Sequence, residues 1–224
     1  MYLRTLAVTI LILLLPTAIW AAGSGAGPLR VGASRIEFTH LSPPPATPPS
    51  GRFEHEKLFL RAIVLDNGLT RAALLTVDGN APGSIPPKVA EELKCPVEHV
   101  IVSSTHSHSA YLTGSNTTGR AAGGGQPQGP SPLDDVAVKA VREAAARLQP
   151  ARMSYGTGTA YLNVNRDVIS PQTRLWTQDA NPAGPSDKTV AVMKFETPAG
   201  EPVALWFNYA MHPVNGYVSG VVSA

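Results

Sequence analysis

Cysteine is nearly absent from the chain: Cys95 is the single one among 224 residues, so no internal disulfide can form. Followed by Pro96, it reads as a small apolar packing residue rather than as a nucleophile. Charge excess is also missing. Lys and Arg total 18 against 16 Asp and Glu, the basic residues are scattered, and nucleic acid is thereby excluded as a partner. No internal repeat is evident. The N-terminal apolar run at 6–19 is interrupted by Pro16 and Thr17 and is shorter than the ~20 apolar residues needed to cross a bilayer.

That run follows Arg4 and precedes the small residues Ala21, Ala22, Gly23 and Ser24, which is the pattern of a secretory signal peptide over residues 1–22. The expected location is secreted or periplasmic. Removing the leader takes away one positive charge, Arg4, and leaves a nearly neutral chain, residues 23–224, of one domain or most of one.

Strand and helix patterns alternate along this chain. After a Pro-rich stretch at 42–50, apolar runs at 58–65 and 72–77 flank Asn67-Gly68, a hairpin signal. Residues 86–94 have helical spacing at Val89, Ala90 and Leu93, and lead into Val100-Ile101-Val102, which reads as a strand buried on both faces. A second helix is expected over 132–148, with Ser131 as its cap, Pro132 in the first position and Asp134 closing a capping box. Segments 151–161, 189–196 and 203–209 read as strands. Between the strand of Val100 and the second helix, 113–130 is rich in Gly, Thr, Gln and Pro, too long for a simple connection, and includes the glycosylation sequon Asn116-Thr117-Thr118. The expected fold is α/β, a mixed β-sheet with flanking helices.

Chemistry concentrates at strand ends. His106 and His108 follow the strand of Val100 directly, and in an extended backbone residues two apart face the same side. His212 stands in the same relation to the strand at 203–209, and Pro213 biases it toward an extended conformation. Three of the six histidines therefore sit at two strand ends, where open α/β sheets bind ligands. Neutral imidazole is a common zinc ligand, so a metal is the functional reading. Hydrogen bonding of His106 and His108 to Ser103, Ser104 and Thr105 is the bland one. Asp78, also at a strand end, suits a catalytic role, a role behind the metal ligands, a helix cap or an ion pair.

Val102-Ser-Ser-Thr-His-Ser-His-Ser109 resembles the segment of the neutral/alkaline ceramidases in which Thr-His-Thr-His-Ser-Gly-Pro follows a buried strand. Phe207-Asn-Tyr-Ala-Met-His-Pro213 is similar to that family's later histidine segment, and Asn165-Arg166 to its Asn-Arg motif. Val31-Gly-Ala-Ser-Arg-Ile-Glu-Phe-Thr39 and Thr76-Val-Asp78 fit as well. The resemblance implies Zn2+ held by His106 and His212. By the same carry-over His108 and Arg166 lie beside the substrate, where Arg166 supplies positive charge worth a few kcal/mol to a developing oxyanion; the other reading of Arg166 is a surface ion pair with Asp167. It implies hydrolysis of a linear amide in a ceramide-like lipid, to sphingosine and fatty acid, with peripheral contact to a membrane. Metal coordination lowers the pKa of bound water to about 7, roughly 12 kcal/mol of easier ionisation.

Departures accompany the likeness. Ser109-Ala110-Tyr111 replaces the family's Ser-Gly-Pro, and the family's glutamate and tyrosine ligands and its serine lie further on than Ala224. Residues 23–224 are thus expected to be the N-terminal part of a catalytic domain, weak in zinc binding and nearly inactive alone. Two alternatives stand: a metallohydrolase of another substrate class, and a non-catalytic zinc- or lipid-binding domain.

Overall fold

A computed structural model describes residues 25–42, 57–107, 109–110, 130–213 and 222–223. The expected leader, the loop and sequon at 113–129, and His108 lie outside these residues.

The central sheet is mixed. It contains β1 (Arg30–Glu37), β2 (Phe59–Asp66), β3 (Arg71–Val77), β4 (Val100–Ser104) and the short β5 (Gln149–Pro150), in the order β4-β3-β2-β1-β5. β2 and β3 are the predicted antiparallel hairpin. Its turn is built by side chains: Asn67 Oδ1 accepts from the amides of Leu69 and Thr70, and Gly68 takes the positive φ (82°) that the turn requires. β3 and β4 are parallel, so a crossover must join them. That crossover is α1 (Ile85–Leu93).

Alternation along each strand divides the sheet into two faces. Leu60, Ala62 and Val64 of β2 and Ala73, Leu75 and Val77 of β3 point to the side covered by α1 and by α2 (Pro132–Ala146). The predicted capping box of α2 is present: Ser131 Oγ accepts from the amide of Leu133, and Asp134 Oδ2 accepts from that of Ser131. Asp134 also accepts from Ser84 Oγ at the start of α1, tying the two helices together. Small residues on β1 let α2 come close. Ser34 donates to Ala140 O at 2.7 Å, and a Cβ added to Gly32 would stand 2.0 Å from Ala144 O.

On the opposite face Val31, Ile63 and Leu74 form a second, smaller core with Phe195, Met193, Ala204 and Trp206. The latter residues belong to an antiparallel sheet of β6 (Arg152–Thr159), β9 (Thr189–Glu196) and β10 (Pro202–Tyr209), in the order β10-β9-β6. Phe195 is fully buried, and burial of such a ring contributes about 1.5–3 kcal/mol. A separate ribbon, β7 (Asn165–Ile169) and β8 (Trp176–Asn181), completes the described chain.

The α/β class with a mixed sheet and flanking helices is as expected. One expectation fails: the strand of Val100 is not buried on both faces. Among the described residues it is the edge of its sheet, and Ile101 is 56% exposed because the second sheet packs over Val31, Ile63 and Leu74. Among the described residues no helix is long and apolar enough to cross a membrane.

Two substitutions test this packing. Gly32→Ala is expected to cost about 1–3 kcal/mol in urea unfolding, because the new methyl meets helix backbone that cannot yield locally; a cost within about 0.5 kcal/mol would show that α2 is not so close. Phe195→Ala should cost about 3–5 kcal/mol by the same measurement, and a cost below 1 kcal/mol would deny that the two sheets share a core.

Candidate functional site

The hydrogen-bond ladder between β3 and β4 runs one step past both strands and then turns into a clasp. Thr105 N donates to Val77 O at 2.9 Å, and His106 N donates to Gly79 O at 2.9 Å. In return Gly79 N donates to Thr105 Oγ1 at 3.0 Å. Gly79 has φ 85°, and a Cβ there would lie 2.8 Å from both the Cβ and the carbonyl oxygen of Ala110. Both conformation and space therefore demand glycine.

His106 has φ 57°, in the left-handed region that non-glycine residues seldom occupy. The extended geometry assumed for His106 and His108 thus ends at β4. The period-two reasoning that aimed both rings at one point does not carry through His106, and His108 is outside the described residues. The structure gives His106 a different orienting device. Its Nδ1 lies 2.8 Å from Asn80 Oδ1, in the turn that follows β3. In the tautomer that carries its proton on Nδ1 this contact is a donated hydrogen bond, the arrangement by which protein groups orient an imidazole for metal binding.

His212 arrives from the other sheet. Its approach is set by the end of β10, where the hydroxyl of Tyr209 accepts from the amides of Leu162 and Asn163 and donates to Ala160 O at 3.0 Å. Asn163 Nδ2 bonds Ala210 O and Asp187 O, and Lys188 Nζ binds both oxygens of Asn163. Three residues past Tyr209, the ring of His212 meets that of His106 with centroids 4.9 Å apart and planes inclined by 57°. Imidazoles at this separation are within reach of one small cation.

The segment after His106 is tied to the C-terminal residues. Buried Ser107 donates from Oγ to Ser223 O at 2.9 Å, Ser223 N donates to Ser109 O at 3.2 Å, and Val222 enters the helix-side core. Sequence reasoning missed these serines and Asn80. Isolated serines carry no signal, although Asn80 could have been sought as the acceptor that a ligating imidazole needs.

The other candidates are placed as follows. Asp78 is an ion-pair partner: its Oδ1 accepts from Arg61 Nη1 at 2.8 Å and its Oδ2 from Phe59 N at 2.8 Å, with the carboxylate almost wholly buried. Arg166 lies on the β7–β8 ribbon, where its Nη2 donates to Gln178 Oε1 at 3.2 Å. Asp167, considered as its partner, is not in an ion pair with it. Cys95 is half-buried, and burial pushes its thiol pKa up, as for a packing residue. Among the described residues no three His, Cys, Asp or Glu side chains converge on one point, so the histidine pair offers two metal donors.

No family model and no curated protein sequence matches this chain. Its structure is similar to that of the neutral ceramidase from Pseudomonas aeruginosa, with a TM-score of 0.57 and 19% identity over 88% of this chain and 34% of that one. A structure of a ceramidase complexed with C2 gives a TM-score of 0.55 and 18% identity over 88% of this chain and 33% of that one. At these identities the likeness shows the fold. The chain spans about a third of the length of these ceramidases.

The Asn80 contact predicts one imidazole tautomer. Ring 15N NMR of His106 should show Nδ1 protonated in the wild type, and Asn80→Ala should give a mixture of tautomers with a stability loss of no more than about 1 kcal/mol. An unchanged ring spectrum in the variant would remove Asn80 from the site.

Proposed function

We propose that this chain carries the two-histidine part of a zinc site in a secreted or periplasmic amide hydrolase that acts on a ceramide-like N-acyl sphingoid lipid. The observation that carries the reading is the meeting of His106 and His212, from two different sheets, at a centroid separation of 4.9 Å. The ceramidase-like fold supports it, as does the resemblance of the sequence segments around both histidines to those of the ceramidases.

The donor set suits zinc as far as it goes. Imidazole nitrogen is a preferred zinc donor, and catalytic sites use about three protein donors with a further position open. His106 would offer Nε2, since Nδ1 is engaged by Asn80. His212 would face it from the β10 side. A zinc ion between them would supply Lewis acidity toward an acyl oxygen and toward water. On the sequence resemblance alone His108 and Arg166 would lie on the substrate side, with Arg166 as the positive charge for the amide oxygen. The lipid substrate implies that the site works against a membrane surface or a micelle.

Zinc affinity, measured by competition with a chromophoric chelator, tests the pair. His106→Ala and His212→Ala should each weaken binding at least tenfold, with the fold checked by circular dichroism. Unchanged affinity in both variants contradicts the proposal. Fatty-acid release from an N-acyl sphingosine tests the reaction. It is to be read on this chain and, because the chain spans a third of the ceramidases' length, on any longer product of the same gene. Little release is expected from residues 23–224 alone, and release from a longer product should disappear in His106→Ala. Zinc bound by both histidines without hydrolysis of any N-acyl lipid by a longer product would instead identify a binding domain.

A further inference from the structure

The face of the central sheet that carries the second core changes character along its strands. Residues Ala33, Ile63, Leu74 and Ile101 stand side by side across β1, β2, β3 and β4 and are all apolar. One step along, two residues nearer the strand ends from which His106 emerges, the row reads Arg35, Arg61, Thr76, Ser103. Period-two alternation puts both rows on one face. The apolar row is largely covered by the second sheet, while both arginines of the polar row are exposed.

Arg35 and Arg61 are direct cross-strand partners in this row. Like charges so placed repel, and a sheet gains nothing from them. The surroundings moderate the repulsion without removing it. Asp78 neutralises Arg61 through its 2.8 Å ion pair. Both guanidinium carbons lie against the ring of Phe59, Arg35 Cζ at 4.5 Å and Arg61 Cζ at 5.3 Å from the centroid. That ring supplies π-electron density to each guanidinium. Nearby Glu37 is paired with Lys57 at 3.0 Å. Among the described residues Arg35 has no acidic partner, so the row keeps one net positive charge. On β3 and β4 it continues with two hydroxyls 3.3 Å apart, Thr76 Oγ1 and Ser103 Oγ, of which Ser103 Oγ donates to Leu75 O. A local rule broken in the open, with its partial compensation built in, is the pattern expected where a ligand supplies the missing term.

We propose that this row is an oxyanion site, in which Arg35 and Arg61 bind a carboxylate or phosphate group over the edge of Phe59. Guanidinium forks recognise both groups bidentately, and the Phe59 ring orients the two forks before the anion arrives. Arg61 then shares itself between Asp78 and the ligand, while Arg35 supplies the uncompensated charge. The proposal rests on the sheet geometry alone and stands whether or not the histidine pair binds zinc.

The test uses the whole chain, with inorganic phosphate and octanoate as free probes and sodium chloride at matched ionic strength as the control. Phosphate or octanoate should raise the melting temperature saturably beyond chloride. Arg35→Gln should weaken that binding at least tenfold, and without anion it should melt at the wild-type temperature or above, because the repulsion is gone. Arg35→Lys keeps the charge but loses the fork and should bind with intermediate affinity. Cosedimentation with vesicles of phosphatidylglycerol, but not of phosphatidylcholine, lost in Arg35→Gln, would assign the anion to a lipid headgroup; binding of the free probes without cosedimentation would assign it to a soluble ligand. The proposal fails if neither free probe nor anionic vesicles bind, if Arg35→Gln binds like the wild type, or if Arg35→Gln melts well below it without anion, which would make Arg35 a packing residue.

Discussion

Two imidazoles from separate sheets can meet only if the sheets hold a fixed relation, and that relation is the small core of Val31, Ile63 and Leu74 against Phe195, Met193, Ala204 and Trp206. Everything at the candidate site depends on it. The central sheet brings His106 out through the β3–β4 ladder and the Gly79 clasp, and the three-stranded sheet brings His212 out at the end of β10. Neither element makes the pair alone. A hydrophobic contact without directional preference thus sets a distance that metal chemistry would need within a fraction of an ångström. The clasp, Asn80 and the Tyr209–Asn163–Lys188 cluster supply the finer adjustment.

The same packing divides one face of the central sheet by function. Where the second sheet lies, the cross-strand row is apolar and covered. Where it stops, the row becomes two arginines and two hydroxyls next to the strand ends. The polar row could not lie beneath the second sheet without burying a charge that Asp78 alone does not balance. The reach of the smaller sheet therefore decides which part of the larger one is free to meet a ligand.

Much of the fold was legible because it is local. Apolar runs around Asn67-Gly68 specified the hairpin, and Ser131-Pro132 with Asp134 specified the start of α2. Strand β9 falls on the segment expected for it, Thr189–Glu196. What was not legible is long-range. Nothing near Ile101 announces that β4 is an edge, because strand order is set by contacts distant in sequence. The β7–β8 ribbon has no strong apolar alternation, and β1 hides its strand pattern behind Gly32 and Ser34, which are small because α2 passes over them. Of the site, both candidate metal ligands were visible as histidines after strands. The left-handed turn at His106 and its partner Asn80 were not, since both follow from how the β3–α1 turn folds back on β4.

The central claim is that His106 and His212 address one ion. Ring 15N NMR of the intact chain during a zinc titration examines it directly. The account predicts that a nitrogen of each ring shifts with the same midpoint, and that His212→Ala weakens the response of His106. Response of one ring alone, or of each at a different zinc concentration, would contradict it.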